Sequence, residues 1–120
     1  MAKIFKATTA GSLPKPNWLA ETEKLWPAWK DSGDALTEKK KESAAMWIDE
    51  QEQSGLDIIS EGEQFRIHFV HGFLENIEGI NWDKKTSMGI RNDRYVVEVP
   101  TVTEALKKSE SIHAEEAIFL

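Results

Sequence analysis

The sequence predicts an α/β fold built on parallel strands, and three observations carry that expectation. The apolar run Ile4-Phe5-Lys6-Ala7 empties into the polar loop Thr9-Ala10-Gly11-Ser12. A second run, Leu56-Asp57-Ile58-Ile59, empties into Glu61-Gly62-Glu63-Gln64-Phe65-Arg66. Helix-like sequence lies between them, which is the pattern of strands covered on both faces. Two strand ends with polar, charged loops on them suggest part of a barrel.

Taken in order, the first strand is expected over Lys3 to Thr9. Pro14 and Pro16 then hold the chain extended, and Asn17 is placed to cap a helix through Trp18, Leu19, Glu21, Leu25 and Trp26, which Pro27 must kink or end. Ser32-Gly33-Asp34 breaks the chain again. Thr37 and Glu38 open a long helix whose inward stripe is Ala44, Trp47, Ile48 and Gln51, and Gly55 caps its end. The second strand follows over Leu56 to Ser60. Ile67 to Leu74 reads as a short helix, and Asn76 to Trp82 and Tyr95 to Val99 alternate as strands do. The polar segment Asp83 to Arg94 is expected to be a long connection between them. Pro100 ends the strand, Thr103 caps another helix, and Glu110 to Leu120 forms a last one that stops on Phe119-Leu120 with no helix stop signal.

Composition bounds the partners. A net charge of −6 leaves no basic stripe able to neutralise several phosphates, so nucleic acid is not expected. Lys39-Lys40-Lys41, flanked by Glu38 and Glu42, reads as the solvated face of a helix. No apolar stretch approaches the roughly 18 residues of a membrane span, and no charged-then-apolar leader is present, so a cytoplasmic location without a membrane partner is expected. The chain has no cysteine, which fits a reducing compartment.

The residues carry a more specific resemblance. Thr8-Thr9-Ala10-Gly11-Ser12-Leu13-Pro14 is followed by Gln51-Glu52 before Gly55-Leu56-Asp57, then by Glu61-Gly62-Glu63 with Arg66, Val70, Phe73 and Gly79. In order and spacing, from about Lys3 to Leu106, this resembles the N-terminal part of the catalytic barrel of cobalamin-independent methionine synthases. The shorter, single-barrel members are the better match, because the chain starts almost on the first strand. The implied fold is a (β/α)8 TIM barrel. Such a barrel needs on the order of 250 residues, so residues 1–120 are expected to be its incomplete N-terminal portion, a fragment or truncated form.

The resemblance implies a zinc-dependent methyltransferase that makes methionine from homocysteine, with 5-methyltetrahydrofolate or another methyl carrier as donor. Ala10, Gly11, Ser12 and Glu63 match the family's homocysteine-binding positions. The chemistry agrees: a carboxylate suits the substrate ammonium, while a hydroxyl and loop amides suit its carboxylate. Read without the resemblance, Gly11-Ser12 is more simply a turn and Glu63 a solvated acid. Glu61 competes with Glu63, since alternation puts both on one side of an extended segment, but Gly62-Glu63 is the matching dipeptide and Glu61 is expected to be supporting or exposed.

Arg66 is expected to anchor Glu63 or another acid through a bidentate pair, with a surface arginine as the alternative. His68 and His71 have a spacing that can serve a metal, but two histidines lack a third ligand, and packing in or under a pocket is the better reading. His68 also stands where the long enzymes carry an acid. Arg91 falls where the family contacts folate, with Asn92 in place of the usual cysteine and Arg94 as a second candidate. Trp18, Trp26, Trp29, Trp47 and Trp82 read as core or interface rather than a stacking platform.

The family's zinc is bound by a His, two Cys and a Glu later in the barrel, so its ligands are expected outside this chain. No catalytic residue is expected in this segment, and alone it should be inactive. An unpaired sheet edge and uncovered helix faces lead to the expectation that it pairs with the remaining barrel segment or associates with itself. The rival reading is a non-catalytic α+β domain that binds a small molecule or a partner subunit.

Overall fold

A computed structural model describes residues 4–23, 27–108 and 111–120. The elements in chain order are β1 (Ala20–Glu21), β2 (Ala28–Trp29), α1 (Gly33–Gln53), α2 (His71–Leu74), β3 (Ile77–Ile90), β4 (Tyr95–Lys108) and α3 (Ala114–Phe119). They divide into two compact units: one runs as far as His71 and takes in His113–Leu120, and the other is Gly72–Ile112.

In the first unit the two predicted strand ends meet in parallel. Thr8 and Ile58 form a parallel bridge, and the backbone N–H groups of Asp57 and Ile58 both donate to the Ala7 carbonyl, at 3.0 and 3.2 Å. The Asp57 carboxylate accepts the Ala7 N–H at 2.9 Å and so extends the contact by a side chain. The pairing is a single bridge rather than two full strands. Lys3, the expected start of the first strand, lies outside the described residues.

The long helix α1 starts a turn earlier than expected, at Gly33 rather than Thr37, with Ser32 in an extended conformation at its N-cap. Its end is the expected one. Gly55 takes φ +74°, the Gly55 N–H bonds the Glu52 carbonyl at 2.9 Å, and the Leu56 N–H bonds the Gln51 carbonyl at 3.2 Å. This paired closure of the last carbonyls turns the chain directly into the segment that meets Thr8.

The helix expected from Asn17 does not form. Asn17–Leu19 is a turn closed by the Leu19 and Ala20 N–H groups on the Pro16 carbonyl, and β1 pairs antiparallel with β2. The Asn17 side chain accepts a hydrogen bond from the Thr22 hydroxyl at 3.0 Å instead of capping backbone N–H groups, so the donors of a first helical turn find no acceptor there. Leu25 and Trp26 lie outside the described residues. The expected helix over Ile67 to Leu74 is reduced to α2, because the His68 ring nitrogen Nδ1 accepts the Val70 N–H at 3.2 Å and holds a turn there. The last helix shortens to Ala114–Phe119, with His113 left-handed at φ 71° before it and Glu110 outside the described residues. Phe119 packs on Phe65, ring centroids 5.5 Å apart.

The second unit is a single antiparallel hairpin. β3 pairs with β4 from Ile77↔Lys108 to Ile90↔Tyr95, with register irregularities between Glu78 and Ile80 and between Asn81 and Lys85. The polar segment expected as a loop is therefore mostly strand, and the helix expected from Thr103 is the end of β4. A two-stranded ribbon exposed on both faces needs no apolar alternation, which is why its sequence reads as a connection. Pro100 stands opposite Lys85, next to the second irregularity, the place in a strand where proline is tolerated.

Candidate functional site

The site begins with α1. Ser43, Trp47 and Gln51 recur every four residues and so share one stripe of the helix. Each reaches one of the two loops directly or through one neighbour. The Trp47 indole N–H donates to the Pro14 carbonyl at 2.9 Å. The Gln51 amide oxygen accepts the Ser60 N–H at 3.1 Å and the Thr9 hydroxyl at 3.3 Å, while its nitrogen donates to the Ser60 carbonyl at 2.8 Å. Ser43 donates to the Gln64 amide oxygen at 2.8 Å.

Gln64 ties the loops to each other. Its side chain is fully buried, and its amide nitrogen donates to both the Leu13 and Gly62 carbonyls at 2.9 Å. The Leu13 N–H donates to the Gly62 carbonyl at 3.0 Å beside it. With the Ser43 bond, every hydrogen-bonding direction but one of the Gln64 amide is used, which is what a buried amide requires.

Gly62 and Glu63 are consecutive left-handed residues, φ +70° and +58°. A side chain on Gly62 would come within 3.0 to 3.3 Å of Leu13, so glycine is required there by both conformation and space. Glu63 has no such excuse, and a left-handed glutamate costs about 1–2 kcal/mol. The Lys15 ammonium donates to the Glu63 carbonyl at 3.1 Å and supports that turn.

Glu61 is buried, at 5% exposure, and its carboxylate accepts the Gln64 N–H at 2.6 Å. It is thus a supporting residue, and not an exposed one. Arg66 Nη2 lies 3.4 Å from Glu61 and 4.0 Å from Glu63. One nitrogen facing two acids replaces the expected bidentate pair, and the buried Nε has no hydrogen-bond partner among the described residues. Arg66 secures Glu61 and leaves the Glu63 side chain at 22% exposure.

That carboxylate opens on a cleft of about 260 Å³ lined by Ser12, Lys15, Glu63, His68 and the apolar Ile67 and Phe69, with Thr22 and Pro27 at its side. The structure therefore brings Ser12, Glu63 and His68 together. Ala10 and Gly11 (φ +82°) sit exposed in the same loop as Ser12. A larger cleft of about 400 Å³ runs from Asn17 to Lys30, but its lining comes from one short stretch of chain. The smaller cleft collects three separated segments, the usual mark of a binding site.

Arg91 belongs to the other unit. It lies in the hairpin turn at φ 54°, its guanidinium 5.9 Å from the Tyr95 ring, and Arg94 closes the same turn.

Lys15 was not singled out by sequence reasoning. Burial pushes its pKa below the usual lysine range, an effect opposed by the carboxylates of Glu63 and Glu61. Its flanking prolines, Pro14 and Pro16, were the available signal, since they fix a lysine directly behind the Ser12 loop. Burial also lowers the His68 pKa, with His71 and Lys15 adding to it. A neutral ring fits the Nδ1 atom that accepts a backbone N–H. The His68 and His71 rings pack at a tilt of 55°, centroids 5.1 Å apart, and among the described residues no three His, Cys, Asp or Glu converge as metal ligands. The described residues offer no set that fits a zinc ion. Among the described residues no helix is long and apolar enough to cross a membrane.

Comparison with known proteins matches this chain to one family. A family model described as the catalytic domain of cobalamin-independent synthase matches residues 5–119. The chain is 28% identical over 116 residues to a methionine synthase of Sulfolobus acidocaldarius, covering 97% of this chain and 33% of that protein. It is 32% identical over 79 residues to the methionine synthase of Sulfurisphaera tokodaii, covering 66% and 23%. A solved B12-independent methionine synthase from Shewanella sp. W3-18-1, in complex with selenomethionine, superposes with a TM-score of 0.85 at 43% identity, over 95% of this chain and 33% of that one. The chain thus spans a third or less of the length of these relatives. It is an α/β chain that belongs to the cobalamin-independent methionine synthase family.

Proposed function

We propose that these residues form the N-terminal segment of a (β/α)8 barrel, and that this segment supplies the amino-acid clamp of a methyltransferase forming methionine from homocysteine. The observation that carries the reading is the shared cleft: Ser12 and Glu63 stand on two loops that follow two parallel-bridged segments, and both line the same 260 Å³ space. Loops at the carboxyl ends of parallel strands are where barrel active sites form. The selenomethionine in the Shewanella relative supports an amino-acid ligand, because it differs from methionine only at the chalcogen.

In this reading the Glu63 carboxylate accepts the substrate ammonium. The Ser12 hydroxyl and the amides around Gly11 donate to its carboxylate, and Ile67 and Phe69 flank the thioether or thiol chain and exclude water. Glu61, Arg66 and Gln64 hold Glu63 in its left-handed turn. Zinc and its ligands belong to the remainder of the barrel, and a methylated folate is the donor the family implies, with Arg91 as a cation for its anionic tail. The exposed apolar residues Ile4 and Phe5, each 88% exposed, and Ile58, at 51%, flank the parallel bridge and are the faces that further strands would cover.

Titration of the chain with L-homocysteine or L-methionine by calorimetry tests the clamp. Glu63→Gln keeps shape and removes charge, so binding should weaken by about 1.5–3 kcal/mol, the worth of a charged hydrogen bond. An affinity that does not respond to Glu63→Gln, or no binding by the unsubstituted chain, would remove the clamp from this segment.

A further inference from the structure

We infer that Lys15 is the residue that recognises the carboxylate of the bound amino acid, and so restricts this cleft to α-amino acids over the corresponding amines. The inference rests on the amino-acid reading of the cleft and adds a residue and a selectivity to it. Lys15 and Glu63 line the same space with opposite charges. They do not close on each other: the nearest cation to the Glu63 carboxylate is Arg66, at 4.0 Å, and no ion pair joins Lys15 to that carboxylate among the described residues.

The lysine is held back by its bond to the Glu63 main-chain carbonyl, 3.1 Å away. That bond uses one of the three donors of an ammonium, which leaves two for a ligand. Pro14 and Pro16 fix the backbone on either side of it. The ammonium also stands over the Trp29 ring, 5.9 Å from its centroid, a cation–π contact that uses no hydrogen-bond donor. Lys15 is half-buried at the cleft, so its two remaining donors are available to an anion that enters there.

A cleft that keeps a cation and an anion apart, with a hydroxyl between loops and an apolar wall of Ile67 and Phe69, is complementary to a zwitterion with an apolar side chain. The ligand ammonium meets Glu63, and its carboxylate meets Lys15 beside Ser12. A neutral hydroxyl and loop amides alone discriminate weakly against a ligand lacking the carboxylate. An ammonium discriminates strongly, because without its anion it is left desolvated and unpaired.

The test compares L-methionine with 3-(methylthio)propylamine, which has the same thioether chain and ammonium but no carboxylate. Calorimetric titration of the chain is run for Lys15→Met, Lys15→Arg and Glu63→Gln, with thermal unfolding as the control for folding. Lys15→Met should weaken L-methionine about tenfold or more beyond its effect on the amine, since both ligands feel the lost bond to the Glu63 carbonyl but only L-methionine loses the carboxylate contact, a charged hydrogen bond. Lys15→Arg should retain most of the preference. Equal losses for both ligands would make Lys15 only a support for the Glu63 turn, and no loss for either would remove it from the site; both overturn the inference. Glu63→Gln separates the two levels: it should weaken both ligands, and if it weakens neither, the amino-acid reading itself fails.

Discussion

The two units of this molecule solve the same problem, fixing a chain, by opposite means. The hairpin of β3 and β4 joins two 14-residue strands by a backbone ladder interrupted twice, yet Val97 is its one buried apolar residue, and Met88, Val96, Val102 and Leu106 are all more than half exposed. The loop unit is irregular, with one parallel bridge and a two-residue hairpin, yet its interior holds Ser43, Gln51, Glu61 and Gln64, all buried and all hydrogen-bonded. Backbone ladders shape the hairpin and require little of its side chains. The loops have no ladder, so side-chain amides stand in for one. That substitution is what leaves Ser12, Lys15 and Glu63 aimed at a common space, because an irregular backbone can present three different segments where a ladder presents one.

The comparison breaks first at Gln64. Gln64→Leu keeps the volume but strands the Leu13 carbonyl and the Ser43 hydroxyl and halves the bonding at Gly62. Each buried polar group left without a partner costs about 1–3 kcal/mol, so the loss should be on the order of 3–5 kcal/mol, at the extreme of single substitutions. Met88→Ala, at an exposed hairpin position, should stay within about 0.5 kcal/mol. Urea unfolding of both variants measures the contrast, and similar midpoints would mean that the amide network does not hold the loops.

What the sequence disclosed follows the same division. Gly55 and the apolar runs before Ser12 and Glu61 announced a helix stop and two parallel segments, because those signals are local in the chain. Gln51 fell on the inward stripe of α1 by spacing alone. Gln64 and Ser43 gave no signal, since a polar residue next to Glu63 or Glu42 looks solvated until its partner across the fold is known. The hairpin failed for the reverse reason. Its strands bury almost nothing, so no period-2 pattern marks Asp83 to Ile90, and Thr103, which resembles a helix cap, sits inside β4.

A second, smaller contrast lies in the glycines. Gly62→Ala must place its Cβ within 3.0 to 3.3 Å of Leu13 at a left-handed φ, and both effects fall on the contact that joins the loops. A strained backbone position of this kind costs about 1–3 kcal/mol. Gly89→Ala in β3 overlaps the Asp93 carboxylate, its Oδ1 and Cγ, while the Asp93 Cα stays at an ordinary 3.5 Å; that side chain can swing away, and the change should cost less than about 1 kcal/mol. Equal thermal shifts for the two variants would show that the Gly62–Leu13 approach is slack rather than tight.

The smallest expected effect is a pH dependence confined to the loop unit. His68 has a pKa depressed by burial first, then by His71 and Lys15, against a weaker upward pull from Glu63. No histidine occurs between Ile77 and Lys108, so the hairpin has no counterpart. Above pH 6.5, the ordinary value, the ring is neutral in the folded and unfolded chains and adds nothing. As the pH falls through 6.5, the unfolded chain takes up a proton that the folded chain resists, so the unfolded state binds more protons and stability falls with pH until the depressed folded value is passed. His68 is partly solvated, so the loss is modest. Thermal midpoints taken from pH 7.5 to pH 5 for the chain and for His68→Gln should diverge at the acid end of that range, with the unsubstituted chain losing more. Parallel curves would mean that the ring is protonated as easily in the fold as out of it, and that the cleft beside Lys15 is wetter than its lining indicates.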